Sequence, residues 1–225
     1  MSKSPSTIDT DMNLSLTPEL LKALQGFVFM INDGLDIDAF FDIEAALANH
    51  EVSASQAIYL KSNPEIAQLF EEQYIAPTPN LEILLKLPED SLGFTYASNL
   101  RASKFEQEFY PKVEVQDDVS YLNMRVRQTH DIWHAVTGYG YDVDAGIKLA
   151  GFQVAQLHSS SMVVFLAALF LNTIKMNRDF NQIVRLIQEG YDLGYQAKPF
   201  LAQKWEEAWE KSLADWRLEL NVNVT

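Results

Sequence analysis

A chain of 225 residues carries 17 Lys and Arg against 31 Asp and Glu, a formal charge of −14, and no cysteine. That acidity opposes phosphate backbones and anionic bilayers, which argues against nucleic-acid binding and restricts any membrane contact to apolar or local features. Without cysteine there are no disulfides, thiolate nucleophiles or Cys-based zinc sites, and the length fits one domain with a sizeable core.

Residues 1–16 read as a flexible arm, with an all-helical domain expected over 17–225. The first residues have neither the apolar core of a secretory signal nor the Arg of a mitochondrial presequence. A cytoplasmic location is therefore expected, with peripheral membrane contact left open. Thr17-Pro18 is a cap and first turn, and a helix is expected through Met30, stopped by Asn32-Asp33-Gly34. A second helix is expected over 38–49, and Ser53 and Asn63-Pro64 open two short ones. Ala76–Asn80 is a loop, 81–87 a short apolar run, and Pro88–Gly93 punctuates before a helix through Ser103. Pro111–Val115 is extended. A long amphipathic helix follows over 118–137, because Val119, Leu122, Val126, Thr129, Trp133 and Val136 recur at three- and four-residue steps.

Gly146–Met176 reads as one long or broken helix, 180–193 as another, and 198–219 as the last. No Asp, Glu, Lys or Arg occurs from Leu149 to Ile174. The apolar run inside that stretch falls short of the ~20 residues a membrane span needs, so it reads as a core helix with a flank available to line a tunnel. Trp205, Glu206, Glu207 and Trp209 read as a helix burying its aromatics and exposing its carboxylates. Alternating strands and repeats are absent from the pattern, and the expected fold class is an all-α, single-domain multi-helix bundle.

The chemistry-bearing pattern is His130-Asp131-x-x-His134 on the long helix. Imidazoles at i and i+4 share a face and can converge on one metal ion, and a neighbouring carboxylate can ligate it or orient a ring. A solvated polar face gives the same spacing. Zincin proteases have Glu where this chain has Asp131, which leaves metal-dependent hydrolysis a minor alternative.

Arg125-Val-Arg127-Gln-Thr-His130-Asp131-Ile-Trp-His134-Ala-Val-Thr-Gly138 resembles the signature of the coenzyme Q biosynthesis protein 4 family. Leu87–Ala97 resembles its upstream segment, and Phe152–Gln156 and Lys204–Glu207 extend the likeness downstream. The resemblance implies a homodimer, a divalent metal near the signature, and a prenyl lipid or prenylquinone precursor as ligand. It also implies association with other quinone-biosynthesis enzymes, as an organiser or as the oxidative decarboxylase of the prenylated ring. By motif position His130, Asp131 and His134 are the implied metal ligands. The family's motif places Glu where this chain has Gly146; Asp142 and Asp144, just upstream, are the candidate replacements, with solvated loop carboxylates as the alternative reading. Imidazole ligands favour Zn, Fe or Mn, and oxygen-rich coordination favours Mg. Arg125 and Arg127 are candidate head-group partners, with ion pairing on an acidic surface as the alternative, and Leu157, Val164 and Phe165 are candidate walls of the lipid channel. The expected function is therefore to hold a prenyl-tailed lipid beside a metal in support of prenylquinone synthesis, with a non-catalytic scaffold as the alternative.

Overall fold

The structure, a computed structural model, describes residues 17–34, 36–103 and 111–224. The flexible arm expected over 1–16 lies outside the described residues. Described residues form eleven α-helices, one 3-10 turn and no strand. In order the helices are α1 Pro18–Asp33, α2 Ile37–Leu47, α3 Glu51–Leu60, α4 Pro64–Glu72, α5 Leu81–Leu84, α6 Leu92–Ser103, α7 Asp118–Thr137, α8 Val143–Leu157, α9 Ser160–Lys175, α10 Phe180–Gln196 and α11 Leu213–Glu219. The all-α class follows the helical periodicity of the sequence.

Local chemistry sets most of the helix starts. Thr17, Asp36, Asn63 and Asp142 each turn a side-chain oxygen onto a first-turn amide. Asp117 and Ser120 cap each other reciprocally at the head of α7, and Gly138, at φ 73°, ends it in the left-handed region. Helix α3 starts earlier than Ser53. His50 Nδ1 accepts from Val52 N at 3.3 Å, and the Ser53 hydroxyl instead donates to Leu47 O at 2.8 Å.

Helix α7 is the axis of the main core. Its Tyr121, Leu122, Ile132, Trp133 and Val136 are buried against Leu92, Tyr96 and Leu100 of α6, Leu149 and Phe152 of α8, and the C-terminal Phe200, Trp205 and Trp216. Trp133 meets Phe152 and Phe200 edge-on at 5.9 and 5.7 Å, the geometry aromatic quadrupoles prefer. A second cluster joins α8, α9 and α10 through Ile147, Met162, Leu166, Leu169, Ile183 and Leu186. A third and smaller one, Ala23, Met30, Ala39, Ile43 and Ala168, fastens the α1–α2 pair to α9. Helices α8 and α10 meet backbone to backbone: a Cβ at Gly190 would lie 1.8 Å from Lys148 O, and one at Gly151 2.3 Å from Ile187 O.

Two expectations need correction. The segment 198–219 is not one helix; it is a loop, a 3-10 turn over Trp205–Glu207, and the short α11. Its amides are taken by distant partners: Lys198 N donates to Leu220 O, Phe200 N to Gln156 Oε1 and Leu213 N to Asp90 O. Its carbonyls bond the head of α6, with Lys211 O and Trp209 O accepting from Leu92 N and Gly93 N. The uncharged 149–174 stretch takes the broken form of the two expected, and it is not enclosed as a core helix on all sides. It breaks at His158, which is left-handed with φ 51°, before Ser159 caps α9. The outer face of α9 leaves Val163, Leu171 and Ile174 exposed. No described helix is long and apolar enough to cross a membrane.

Candidate functional site

A cavity of about 320 Å³ lies between α2, α7, α8 and α9. Three- and four-residue spacing on α7 brings Asn123, Val126, Arg127, His130 and His134 to its wall. Helix α8 supplies Gly146, Leu149, Ala150, Gln153 and Leu157, α9 supplies Met162 and Phe165, and α2 supplies Phe40, Phe41 and Glu44. Helices α7 and α8 are consecutive and joined by a short turn, so a polar end and apolar walls fall in one cavity.

At the polar end the rings of His130 and His134 stand edge to face, centroids 4.9 Å apart. His134 Nδ1 donates to Tyr139 O at 3.1 Å, which makes Nε2 the unprotonated nitrogen of the neutral ring. Tyr141 stacks on His134 at 4.5 Å. His130 Nδ1 lies 3.0 Å from Gln153 Nε2, the buried amide of α8. Burial, and after it the neighbouring His134, pushes the His130 pKa down to about 3. Burial likewise lowers His134, against its backbone hydrogen bonds. Both rings are therefore neutral at pH 7. Burial first and the Asp131 charge second hold the Tyr141 phenol well above its ordinary pKa.

The expected site residues separate. His130, His134, Arg127 and Asp142 line the cavity, as do Leu157 and Phe165. Asp131 is not among the residues that line the cavity, though its charge acts on the Tyr141 phenol. Asp142 uses Oδ1 to cap α8, accepting from Ala145 N at 2.9 Å. Val164 is in the cluster that holds α1 and α2. Arg125 is fully buried away from the cavity, with Nη1 donating to Glu206 Oε1 at 2.6 Å and to Gln128 Oε1 at 2.7 Å. Its Nη2 donates to Glu206 Oε2 at 2.9 Å and to Gln203 O at 2.7 Å. Arg125 is thus an anchor of the C-terminal segment, and Glu206, expected as a solvated carboxylate, is 5% exposed against it.

Among the described residues no three His, Asp or Glu side chains converge as metal ligands. Gly146 leaves the fourth motif position without a side chain, although nothing lies within 4 Å of where its Cβ would stand. Among the described residues that line the cavity, His130 and His134 are the imidazole donors, and Asp142 is the nearby carboxylate of the motif region.

Sequence reasoning missed Glu44. Its carboxylate ion-pairs with Arg127 inside the cavity, both side chains mostly buried. Arg127 also donates from Nη1 to Pro111 O at 2.8 Å and lies 4.4 Å over the Phe41 ring. Burial pushes the Glu44 carboxyl up, and Arg127 opposes the rise. No local signal marks Glu44, because an acid on an amphipathic helix reads as surface. Gln153 did leave a signal, as a polar residue inside an uncharged run.

The family described as Coenzyme Q (ubiquinone) biosynthesis protein Coq4 matches residues 53–225. A crystal structure from Nostoc punctiforme PCC 73102, provisionally named a ubiquinone biosynthesis protein, superposes with a TM-score of 0.81 at 33% identity, over 91% of this chain and 97% of that one. The mitochondrial ubiquinone biosynthesis protein COQ4 homolog of Aedes aegypti is 26% identical over 65% of this chain and 54% of its own length. That of Saccharomyces cerevisiae strain RM11-1a is 26% identical over 64% of this chain and 44% of its own length. The chain spans about half the length of these curated relatives. With its signature helix, the helices flanking it and the C-terminal segment all inside the matched region, the chain belongs to the coenzyme Q (ubiquinone) biosynthesis protein Coq4 family.

Proposed function

We propose that this chain serves prenylquinone biosynthesis by holding a prenyl-tailed lipid or quinone precursor in the α2–α7–α8–α9 cavity, ring at the His130–His134 end and tail along the apolar wall. The observation that carries this reading is the cavity itself. Phe40, Phe41, Val126, Leu149, Leu157, Met162 and Phe165 form its wall, and neutral imidazoles sit at one end. Its volume falls at the lower end of the range of about 300–1,000 Å³ typical of small-molecule sites. Each methylene removed from water there contributes about 0.8 kcal/mol, so an isoprenoid tail supplies affinity with few polar contacts. The unprotonated Nε2 of His134 accepts a hydrogen bond from a ring hydroxyl. A divalent ion bound by His130 and His134 would take that nitrogen in place of the hydroxyl and supply Lewis-acid character at the same end, with Asp131 or Asp142 recruited by side-chain rotation.

A second reading, a scaffold for other quinone-pathway enzymes, is supported by the exposed Val163, Leu171 and Ile174 face of α9. Native mass spectrometry of protein purified without detergent separates the two. A stoichiometric long-chain amphiphile, lost when Ala150→Phe fills the cavity of a still-folded protein, is the expected result. Folded protein that takes up no such amphiphile and co-purifies with quinone-pathway enzymes would replace the first reading by the second.

A further inference from the structure

We propose that Gln153 is a positioning residue: its buried carboxamide fixes which nitrogen of His130 carries the proton, and so decides whether the two imidazoles stand as a donor and an acceptor or as two ligands for one metal ion. The inference rests on the His130–His134 end being the polar end of the ligand cavity. A neutral imidazole carries one N–H and one bare nitrogen, and the hydrogen bonds say which is which. His134 Nδ1 is 3.1 Å from Tyr139 O; a carbonyl only accepts, so Nδ1 donates and Nε2 is bare. His130 is the reverse. Its Nδ1 is 3.0 Å from Gln153 Nε2; an amide nitrogen only donates, so Nδ1 accepts and the ring proton sits on Nε2. Two histidines one turn apart on α7 therefore hold opposite tautomers. One metal ion cannot take Nε2 of both rings in this state, because a protonated nitrogen has no lone pair to give. A ligating imidazole ordinarily donates its other N–H to an outer acceptor. His134 already has that acceptor in Tyr139 O. His130 gains it only when Gln153 turns its oxygen toward Nδ1. The proton lost from Nε2 to water is then replaced at Nδ1 from water, and the ring charge is unchanged.

The residue type suits this task. Gln153 is 3% exposed and lies in the uncharged run of α8, where a buried amide needs a partner. A carboxamide has donors on one side and an acceptor on the other, so a half-turn of its end group serves either tautomer. A carboxylate would only accept and would hold His130 in the ligand form; an aliphatic chain would hold neither. The backbone of α8 beside Gln153 cannot withdraw. A Cβ at Gly151 would fall 2.3 Å from Ile187 O, and one at Gly194 2.7 Å from Phe152 O, so α8 and α10 are in backbone contact on both sides of it. Phe152 itself is packed on Trp133 of α7.

The test is nitrogen NMR of the whole chain with labelled histidine and glutamine side chains, free of metal and amphiphile at about pH 8. The chain has four histidines, and a His130→Asn variant identifies the His130 signals. The expected spectrum has the proton on Nε2 of His130 and on Nδ1 of His134. Gln153→Glu should move the His130 proton to Nδ1 and tighten Zn²⁺ at least about tenfold, the lower end of what outer-shell partners are worth. Thermal melting checks that the variant is folded; a purely structural role for Gln153 would move the melt and leave the tautomer alone. If the variant does not fold, wild-type protein still decides: added Zn²⁺ should move the His130 proton to Nδ1 and shift the Gln153 amide signals with it. A metal-free His130 protonated on Nδ1, a folded variant that keeps the proton on Nε2, or wild-type protein whose His130 and Gln153 signals ignore Zn²⁺ overturns the proposal. Since no amphiphile is present, each of these outcomes leaves the cavity reading to its own mass-spectrometric test.

Discussion

Replacing Arg125 with Ala should damage the fold and leave the cavity's chemistry alone. The side chain is fully buried and ties α7 to the C-terminal segment through Glu206 and Gln203 O, with Gln128 accepting on its own helix. Removing it leaves the Glu206 carboxylate, 5% exposed, without its cation. Breaking one side of a buried ion pair costs about 3–5 kcal/mol, because the survivor is desolvated and uncompensated. Against a total stability of about 5–15 kcal/mol, that is a large fraction. At about 2–4 °C per kcal/mol for a domain of this size, the melting temperature should fall by about 6–20 °C. The double variant Arg125→Met/Glu206→Leu removes both charges and should recover most of the loss. Far-UV circular dichroism melts of the two single variants and the double one form the test. A fall of less than about 3 °C for Arg125→Ala, against the expected cost, would refute the anchor role. Loss of amphiphile binding at unchanged melting temperature would restore Arg125 to the head-group role.

Gly146→Glu should tighten Zn²⁺ or Mn²⁺ binding by at least about tenfold in competition with a chelating dye, since it adds a carboxylate at an open position on the cavity that the two imidazoles also line; unchanged affinity would detach the metal from this helix face. Because the His130 pKa is depressed to about 3 from 6.5, its contribution to stability is complete above pH 6.5 and is lost as pH falls from there toward 3. Urea midpoints should therefore show up to about 2 kcal/mol less stability from this group at pH 5 than at pH 7, a difference absent in a folded His130→Asn variant. Phe165→Ala should weaken amphiphile binding by opening the cavity wall, whereas Val164→Ala should cost about 0.5–1.5 kcal/mol of stability at unchanged affinity, since Val164 packs on the α1–α2 cluster. Gly190→Ala should cost at least several kcal/mol, or prevent folding, because its Cβ would fall 1.8 Å from Lys148 O in backbone that cannot yield without separating α8 from α10.

The helical class, the extent of α7 and the shared face of His130 and His134 were legible in the sequence, because periodicity, caps and i, i+4 neighbours are local properties of the chain. The family resemblance added the function class and a ligand set. It could not say that Asp131, one residue on from His130 and about 100° around the helix, sits off the cavity wall. The same geometry separates Arg125 from Arg127: two residues apart, they face about 200° apart, one into the core and one into the cavity. Periodicity distinguishes the two faces without saying what covers each. That was decided by Glu206, 81 residues downstream of Arg125, and by Glu44, 83 residues upstream of Arg127. The C-terminal segment read as a helix because its residue types suit one. Backbone pairing with α6, α8 and the chain's own end drew it into a loop, a turn and a short helix. Tertiary structure alone decided those outcomes, because a buried charge or an unpaired amide is satisfied by whichever partner the packing brings near, and sequence separation places no limit on that choice.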